Sequence, residues 1–209
     1  MRILDLFCGA GGAAMGLHRA WPEAQIMGID IKPQPRYPFK FFQADVMDNL
    51  YPLAFETFDL IWASPPCQAY SPLNAYNHKR YDDLVALTRT HLQAAGVPYI
   101  IENVVQAPLR NPSVLCGSMF GLSIYRHRGF ETSFPVQSPE HPVHVATCAR
   151  NGYLPQHGQF MTISGGKHSR AWQRAAADAM DVPWMETIRE VCEAIPPAYS
   201  EYIARQVRL

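Results

Sequence analysis

Long apolar runs are missing from this chain of 209 residues, although 48% of the residues are hydrophobic. A helix that crosses a bilayer needs about 20 consecutive apolar residues, so the sequence predicts no membrane span. A positively charged segment followed by an apolar stretch, the mark of a secretory leader, is missing too. Both absences predict a cytoplasmic protein.

Net charge is also missing, since 18 Lys and Arg residues balance 18 Asp and Glu residues. This balance argues against a protein that coats nucleic acid through a broad basic surface. There is no internal repeat, heptad pattern or low-complexity tract, which excludes solenoids and coiled coils. The five cysteines have no framework spacing and indicate a reducing compartment. The length fits one globular domain with its own core.

The most informative motif present is Asp5-Leu6-Phe7-Cys8-Gly9-Ala10-Gly11-Gly12. It follows a short apolar run, and residues 13–17 continue in a helical pattern, so the sequence predicts a strand, a glycine turn and a helix. Such a turn lets a nucleotide cofactor approach the backbone at the N-terminus of the helix. A plain structural turn has the same composition, and the motif alone does not separate the two.

Two acids follow the next two predicted strands. Asp30 comes after the strand at 26–29, about 20 residues beyond the glycine loop, where a carboxylate can bind ribose hydroxyls. Asp45 comes after the strand at 40–44 and is placed to bind the amino group of an adenine ring. Acids also cap turns, but three consecutive strand ends that supply the expected groups favour a cofactor site.

A cysteine and a glutamate follow two further strands. The strand at 58–63 runs into Ser64-Pro65-Pro66-Cys67-Gln68, and the prolines fix the backbone that carries Cys67. A helix is expected over 81–95, with Leu84, Leu87, Thr88, His91 and Leu92 on one face. The strand at 99–101 then leads into Glu102-Asn103-Val104. Cys67 and Glu102 are therefore expected at the same edge of an α/β sheet, although an inert buried cysteine is the alternative.

The three motifs, DLFCGAGG at 5–12, PPCQ at 65–68 and ENV at 102–104, resemble in order and spacing the cytosine-C5 DNA methyltransferase family. The resemblance implies a Rossmann-like S-adenosylmethionine-dependent methyltransferase fold, with a mostly parallel, doubly wound sheet and a small irregular insert. The expected organisation is one globular domain with a catalytic and cofactor-binding core at 1–128. The core is followed by a reduced target-recognition insert at 129–166 and by a C-terminal part at 167–209 that returns to the catalytic core.

The resemblance also implies S-adenosylmethionine as cofactor and a role for each matching residue. Phe7 would lie against the adenine, and Gly9, Gly11 and Gly12 would give way to the methionine portion. Cys67 would attack C6 of cytosine while Glu102 contacts N3. The remaining cofactor positions are Asp30, Ile31, Asp45, Val46, Ser64, Pro65 and Glu193, and the remaining catalytic positions are Pro66, Gln68, Asn103, Arg126 and Arg128.

Two blocks match the family in part. Arg126 and Arg128 resemble the arginines of its Q-x-R-x-R block, but Ile124 stands in the place of the glutamine. A solvated basic pair is the alternative. Residues 191–199 resemble the G-N-A-V-P-P block, with Cys192 and Glu193 in the first two places, and a final helix is expected over 200–207. Glu193 either lies near the ammonium group of the cofactor or faces water.

The insert is too short for a full second domain. It either reads a very short DNA sequence, or a separate protein supplies specificity, or the substrate is smaller than duplex DNA. Residues 106–175 include seven basic residues and only two acidic ones, and this excess of positive charge is enough to contact a few phosphates. Residues 164–169 have the composition of a phosphate loop or of a hinge. If duplex DNA is bound, the cytosine must leave the stack, and an insert residue or the loop at 68–80 would fill the gap.

The insert also contains His141, His144, Cys148 and His157, a set that could bind zinc and fasten a loop too small for its own core, although the spacing matches no strong zinc signature. We therefore expect surface histidines and no metal. The sequence thus predicts a monomeric DNA methyltransferase without membrane contacts, whose small size suggests a phage or mobile-element origin. An enzyme acting on RNA or free cytosine nucleotides and a catalytically silent regulatory subunit are the alternatives. Methylation of amino groups is disfavoured because Cys67 occupies the aromatic position of the motif that those enzymes carry.

Overall fold

The computed structural model describes residues 1–49, 55–70 and 81–208. Its strands are β1 (Arg2–Leu6), β2 (Gln25–Asp30), β3 (Lys40–Gln43), β4 (Leu60–Ala63), β5 (Tyr99–Asn103), β6 (Ser113–Leu115) and β7 (Arg128–Thr132). Its helices are α1 (Gly12–Ala20), α2 (Val46–Asn49), α3 (Leu84–Ala95), α4 (Arg170–Ala179), α5 (Ile188–Glu193) and α6 (Pro197–Ala204). Short 3-10 turns cover Phe55–Thr57 and Gly117–Phe120.

The strands form a single seven-stranded sheet in the order β3-β2-β1-β4-β5-β7-β6. Strands β1 to β5 are parallel, and β7 is antiparallel to both β5 and β6. The register pairs Leu6 with Ile29 on one side and with Ala63 on the other, so these strands end at a common edge. The expected mostly parallel α/β architecture is confirmed.

Alternate residues of each strand enter two separate cores, because side chains along a strand point to opposite faces. Ile3, Trp62 and Ile100 pack with α1 and α6 on one face. Leu4, Ile61 and Ile101 pack against α3 and α2 on the other face. A third cluster joins α4 and α5 to the end of the sheet through Trp172, Val191 and Ile124. The sheet is therefore covered on both faces, as the doubly wound prediction requires.

The expected boundary of the insert at residue 129 is wrong. Residues 128–132 form β7, which pairs with β5 and β6, and Phe130 is fully buried beside Trp62. The strand escaped prediction because it contains a glycine and two charged residues in five positions. The segment outside the sheet therefore begins at residue 133.

Two predicted helices differ in detail. Helix α3 starts at Leu84 because the Asp83 carboxylate caps it by accepting a hydrogen bond from the amide of Ala86 at 3.1 Å. Its buried residues are Val85, Thr88, Arg89 and Leu92, so the predicted apolar face is only partly right. The final helix, expected over 200–207, runs from 197 to 204, since Pro197 starts it. None of the helices described is long and apolar enough to cross a membrane.

Candidate active site

A cleft of about 1100 Å³ opens at the edge where the parallel strands end. It brings together most of the residues that the sequence motifs single out. The lining includes Phe7, Gly9, Gly12, Asp30, Ile31, Asp45, Val46, Ser64, Pro65, Pro66, Cys67, Gln68, Glu102, Asn103, Arg128 and Glu193. Residues that are up to 186 positions apart thus share one cleft, because the sheet aligns the ends of β1, β2, β4 and β5.

The glycine loop is shaped by backbone conformations that side chains rarely adopt. Gly9 has φ 49° and a Cβ there would meet nothing within 4 Å, so the loop leaves open space on the cleft side. Phe7 also has a positive φ, 56°, which places strain at the mouth of the cleft. Gly11 does not make room for a ligand as expected, because a Cβ there would lie 2.7 Å from Cδ of Pro38.

The strand-end acids bind backbone amides and line the cleft at the same time. The Asp30 carboxylate accepts from the amides of Gly9 at 3.0 Å and Lys32 at 2.9 Å, and it thereby fixes the glycine loop. Asp45 accepts from the amide of Met47 at 2.8 Å and starts α2. Each carboxylate oxygen has two lone pairs, so these caps leave acceptor capacity toward the cleft. The cap and cofactor interpretations are therefore compatible.

The residues that line this half of the cleft fit S-adenosylmethionine. The open backbone at Gly9 can admit a ligand closely, and Asp30 and Asp45 offer acceptors for ribose hydroxyls and for the adenine amino group. Phe7 supplies an aromatic surface beside them.

Cys67 lies at the other end of the cleft, on a loop that β5 holds in place. The Asn103 side-chain amide donates to the carbonyl of Pro65 at 2.8 Å, which links the Pro-Pro-Cys segment to the strand that carries Glu102. Asn103 is buried, so it positions the loop. Burial raises the pKa of the Cys67 thiol, Glu102 adds to this, and Arg128 opposes it. The sulfur is half-buried within a charged cleft.

Glu102 is a buried carboxyl of the cleft, and the side chains of Arg128 and Ser64 bind it. Nε of Arg128 lies 3.2 Å from its Oε1. The Ser64 hydroxyl also bonds to it, and Ser64 Oγ in turn accepts from Nε1 of Trp62 at 2.9 Å. Burial raises the pKa of Glu102, and the Arg128 charge opposes that rise. Ser64, expected against the cofactor, therefore orients Glu102.

Arg126 does not reach the cleft as the family pattern implied. Its guanidinium is buried and donates to the carbonyls of Ala194 at 3.0 Å, Cys192 at 2.5 Å and Ile163 at 3.4 Å. It thereby holds the segment after α5 against the sheet. Ile124, in the place of the family's glutamine, is fully buried and packs onto Gly117. The two arginines are therefore not a solvated basic pair, because Arg126 is buried and Arg128 forms an ion pair with Glu102.

Glu193 lines the cleft but is bound to a neighbour. Both its carboxylate oxygens accept from Nε of Arg189 at 3.1 Å, one helical turn away, and about half of its side chain is exposed. It therefore lies at the solvated rim. The ammonium interaction stays a prediction.

Sequence motifs missed a second wall of the cleft. Arg36 binds Glu190 through Nε at 3.0 Å to both oxygens, and this pair joins the loop after β2 to α5. Leu84 and the exposed Leu87 also line the cleft, which explains why they do not lie in the core. The i, i+3 leucine spacing in α3 was visible, but it indicated a core face.

Other expected features have mixed outcomes. Of the loop at 68–80, residues 71–80 lie outside the described residues. Within 164–169, Ser169 caps α4 by accepting from the amide of Trp172 at 3.1 Å. All five cysteines are free. Of the four weak zinc candidates, His141 and His144 cluster with Cys116 and His127, and Cys148 and His157 are not part of that cluster.

Comparisons with known proteins agree with this geometry. Residues 1–90 match the model of the C-5 cytosine-specific DNA methylase family. Among solved structures, the Entamoeba histolytica methyltransferase EhMeth superposes with a TM-score of 0.63 at 11% identity, over 97% of this chain and 96% of that chain. The S. pombe Dnmt2 methyltransferase superposes with a TM-score of 0.54 at 17% identity, over 98% and 97%. These two likenesses show the fold.

No curated protein matches the sequence. The match to the family model nevertheless covers two of the three motifs, the glycine loop and the Pro-Pro-Cys segment. The resemblance seen in the sequence is thus confirmed over residues 1–90, the part of the chain that is similar to the C-5 cytosine-specific DNA methylases.

Proposed function

We propose that the protein methylates C5 of cytosine in DNA through a covalent bond between Cys67 and C6 of the base. The observation that carries this proposal is the cleft itself. One end offers the open glycine loop with Asp30 and Asp45, and the other end offers Cys67 with the Glu102–Arg128 pair. A methyl donor and an acceptor base can therefore meet between them.

The base is activated by addition of the thiolate. C5 of cytosine is a poor nucleophile until a sulfur bonds to C6 and the electron pair of the C5–C6 double bond becomes available at C5. S-adenosylmethionine supplies the electrophilic methyl group. The C5 proton then leaves to a base, the C6–S bond breaks, and Cys67 returns as thiolate.

Glu102 assists the addition from the other edge of the base. Burial raises the pKa of Glu102, which favours a protonated carboxyl that can donate to N3 and withdraw electrons from C6. Arg128 provides positive charge at the same edge. The hydroxyl of Ser64 bonds to the carboxyl group and fixes its orientation.

Cys67 must lose its proton before it attacks. Burial holds the pKa of this thiol above its ordinary value, so the free enzyme keeps it protonated. The Arg128 charge favours the thiolate and is best placed to stabilise it when the base is bound. We expect activity to rise with pH as the Cys67 thiol loses its proton.

The test is a trapping experiment with duplex DNA that contains 5-fluorocytosine, in the presence of S-adenosylmethionine. Fluorine at C5 blocks the final elimination, so the wild-type protein should form an adduct that survives denaturation. Cys67→Ala should form none, while Cys148→Ala, which removes an exposed cysteine outside the cleft, should form as much as wild type.

Absence of an adduct from a folded, cofactor-binding protein would overturn the DNA proposal. Repeating the experiment with 5-fluorocytosine in RNA and as the free nucleotide then separates the alternatives. An adduct on either one assigns that substrate class. No adduct on any of the three indicates a silent subunit or a missing specificity protein.

A further inference from the structure

Four potential metal ligands converge outside the cleft. The side chains of Cys116, His127, His141 and His144 each offer one ligand atom, and these four atoms all lie within 4.8 Å of one another. Sγ of Cys116 is 3.4 Å from Nε2 of His144, and Nε2 of His127 is 3.1 Å from Nε2 of His141. None of the four lines the cleft described above.

The sheet builds half of this cluster. Leu115 of β6 pairs with Arg128 of β7, so Cys116 and His127 are the next pair beyond the ladder. Cys116 is buried and His127 is half-buried, which gives both side chains a fixed position. The other half comes from the segment after β7, where His141 and His144 are three residues apart and exposed.

The distances fit a tetrahedral ion. With metal–nitrogen bonds of about 2.0–2.1 Å and a metal–sulfur bond of about 2.3 Å, ligand atoms around zinc lie about 3.3–3.6 Å apart. Each of the two short contacts, His127–His141 at 3.1 Å and Cys116–His144 at 3.4 Å, could by itself be a hydrogen bond. Two independent hydrogen bonds do not explain why the two pairs lie next to each other, whereas a single ion would bind all four atoms at once.

The segment after β7 is held at its beginning, where Phe134 and Val136 pack on the core and Gln137 bonds to Tyr202 and Gln206, and the two exposed histidines lie beyond these contacts. Residues 134–145 contain no helix or strand, and Val143 and Val145 are 83% and 87% exposed. Its contacts with the rest of the protein include the Tyr125 hydroxyl, which donates to the carbonyl of Ala146 at 3.1 Å. The Tyr125 ring also stacks on His144 at 3.6 Å. A segment without a core of its own commonly needs a disulfide or a metal.

We propose that Cys116, His127, His141 and His144 bind one Zn²⁺ ion, which fastens residues 133–147 to the end of the sheet beside Arg128. One thiolate and three imidazoles suit zinc, which is tetrahedral and accepts nitrogen and sulfur ligands. With all four positions taken by protein, the ion is structural. Tyr125 and Ser118 surround it: Tyr125 stacks on His144, and Oγ of Ser118 lies 3.2 Å from the Cys116 sulfur.

The test measures metal directly and needs no methyl transfer. Untagged protein should contain one equivalent of zinc, and Co²⁺ in its place should give the intense visible bands of a tetrahedral site with sulfur-to-cobalt charge transfer. His141→Ala and His144→Ala should weaken zinc binding by more than about 100-fold. Both residues are exposed, so these variants are expected to fold. His157→Ala and Cys148→Ser, which lie outside the cluster, should bind zinc like wild type.

Limited proteolysis supplies a second readout. Removing zinc with a chelator should free the segment and make a glutamate-specific protease cut after the exposed Glu140, and adding Zn²⁺ back should restore protection. The proposal is overturned if wild-type protein supplied with Zn²⁺ binds none. It is also overturned if His141→Ala and His144→Ala retain zinc as tightly as His157→Ala does.

Discussion

Asp5 is the acid of the glycine motif, yet it lies beneath the loop and away from the cleft. Its Oδ2 accepts from the Tyr37 hydroxyl at 3.1 Å, while its Oδ1 has no partner among the residues that the structure describes. Burial raises the pKa of Asp5 to about 8, the Tyr37 hydrogen bond opposes this, and the negative charge of Asp30 adds to it. The folded protein therefore holds this carboxyl protonated at neutral pH.

The first prediction concerns pH and Asp5. The ordinary pKa is 3.8, so between about pH 4 and pH 8 the folded state binds a proton that the unfolded state has released. Folding stability from this group is full below pH 4 and falls as pH rises toward 8. Asp5→Asn should remove that fall, so urea unfolding of wild type and variant should diverge in the variant's favour between pH 5 and pH 9.

The matched control for Asp5 is Asp178→Asn, which neutralises an exposed carboxylate on α4. Its pH profile should follow that of the wild type. Parallel profiles for Asp5→Asn and wild type would show that Asp5 titrates alike in both states and would contradict the prediction.

Glu102 gives the second prediction at this scale. Glu102→Gln keeps the size of the side chain but cannot transfer a proton to N3, and positioned acids contribute roughly 10²–10⁴-fold to rate. We expect methyl transfer to fall by at least about 100-fold while the affinity for S-adenosylmethionine, measured by calorimetry, stays near that of wild type. A loss of less than about 3-fold would remove Glu102 from the mechanism.

At the scale of elements, α1 and α6 are in the closest contact. A Cβ built on Gly16 would lie 2.0 Å from the carbonyl oxygen of Pro197 and 2.1 Å from Oγ of Ser200. The Ser200 hydroxyl donates to the carbonyl of Ala13 at 2.8 Å, which ties the two helices by a buried hydrogen bond. A glycine at 16 is therefore a condition of this packing.

The third prediction is that Gly16→Ala destabilises the protein. Helix propensity alone favours alanine by about 1 kcal/mol. Overpacking in a tight interface costs typically about 1–3 kcal/mol and here meets backbone, so the clash should outweigh propensity. Urea unfolding should give a lower midpoint for Gly16→Ala. Gly165→Ala, at a site with no atom within 4 Å of the added Cβ, should be close to wild type, and a stabilised Gly16→Ala would contradict the packing.

The five parallel strands were predictable because their apolar runs are short and end in turn residues. Strands β6 and β7 were not, because β6 has three residues and β7 contains charged residues. One of these, Glu131, is buried by a partner from α3: Arg89 donates to both its oxygens at 2.7 Å. No local sequence pattern predicts an ion pair between two residues that are 42 positions apart.

The site shows the same limit. Motif order brought Cys67, Glu102 and the cofactor loop to one edge, since parallel strands end together. The Cys116–His127 pair depends on the antiparallel register of β6 and β7, and the sequence spacing of these residues matches no zinc pattern. The buried role of Arg126 likewise follows from where residues 192–194 return to the sheet.

For the molecule as a whole, the net charge is zero, but the charged residues are distributed unevenly over the surface. In the segment from 106 to 175, Arg126 is buried and Glu131 is bound to Arg89. The exposed basic residues that remain there are Arg110, Arg150, Lys167, Arg170 and Arg174. Three of them lie at or just before α4, and a Cβ on Gly152 would be 3.3 Å from the His168 ring, so the Arg150 loop adjoins them.

The fourth prediction assigns nucleic-acid binding to the basic residues of α4. Each phosphate contact contributes about −0.9 to the slope of log affinity against log salt for duplex DNA. The double variant Arg170→Glu/Arg174→Glu should therefore bind a short duplex more weakly at low salt and with a slope reduced by about 1–2, measured by fluorescence anisotropy between 50 and 200 mM salt. Lys40→Glu, which is exposed on the edge strand β3 and lies outside the segment from 106 to 175, should keep the wild-type slope. Equal slopes for all three proteins would mean that nucleic acid meets another surface, because a helix that contacts phosphates cannot reverse its charge without changing the number of ions released.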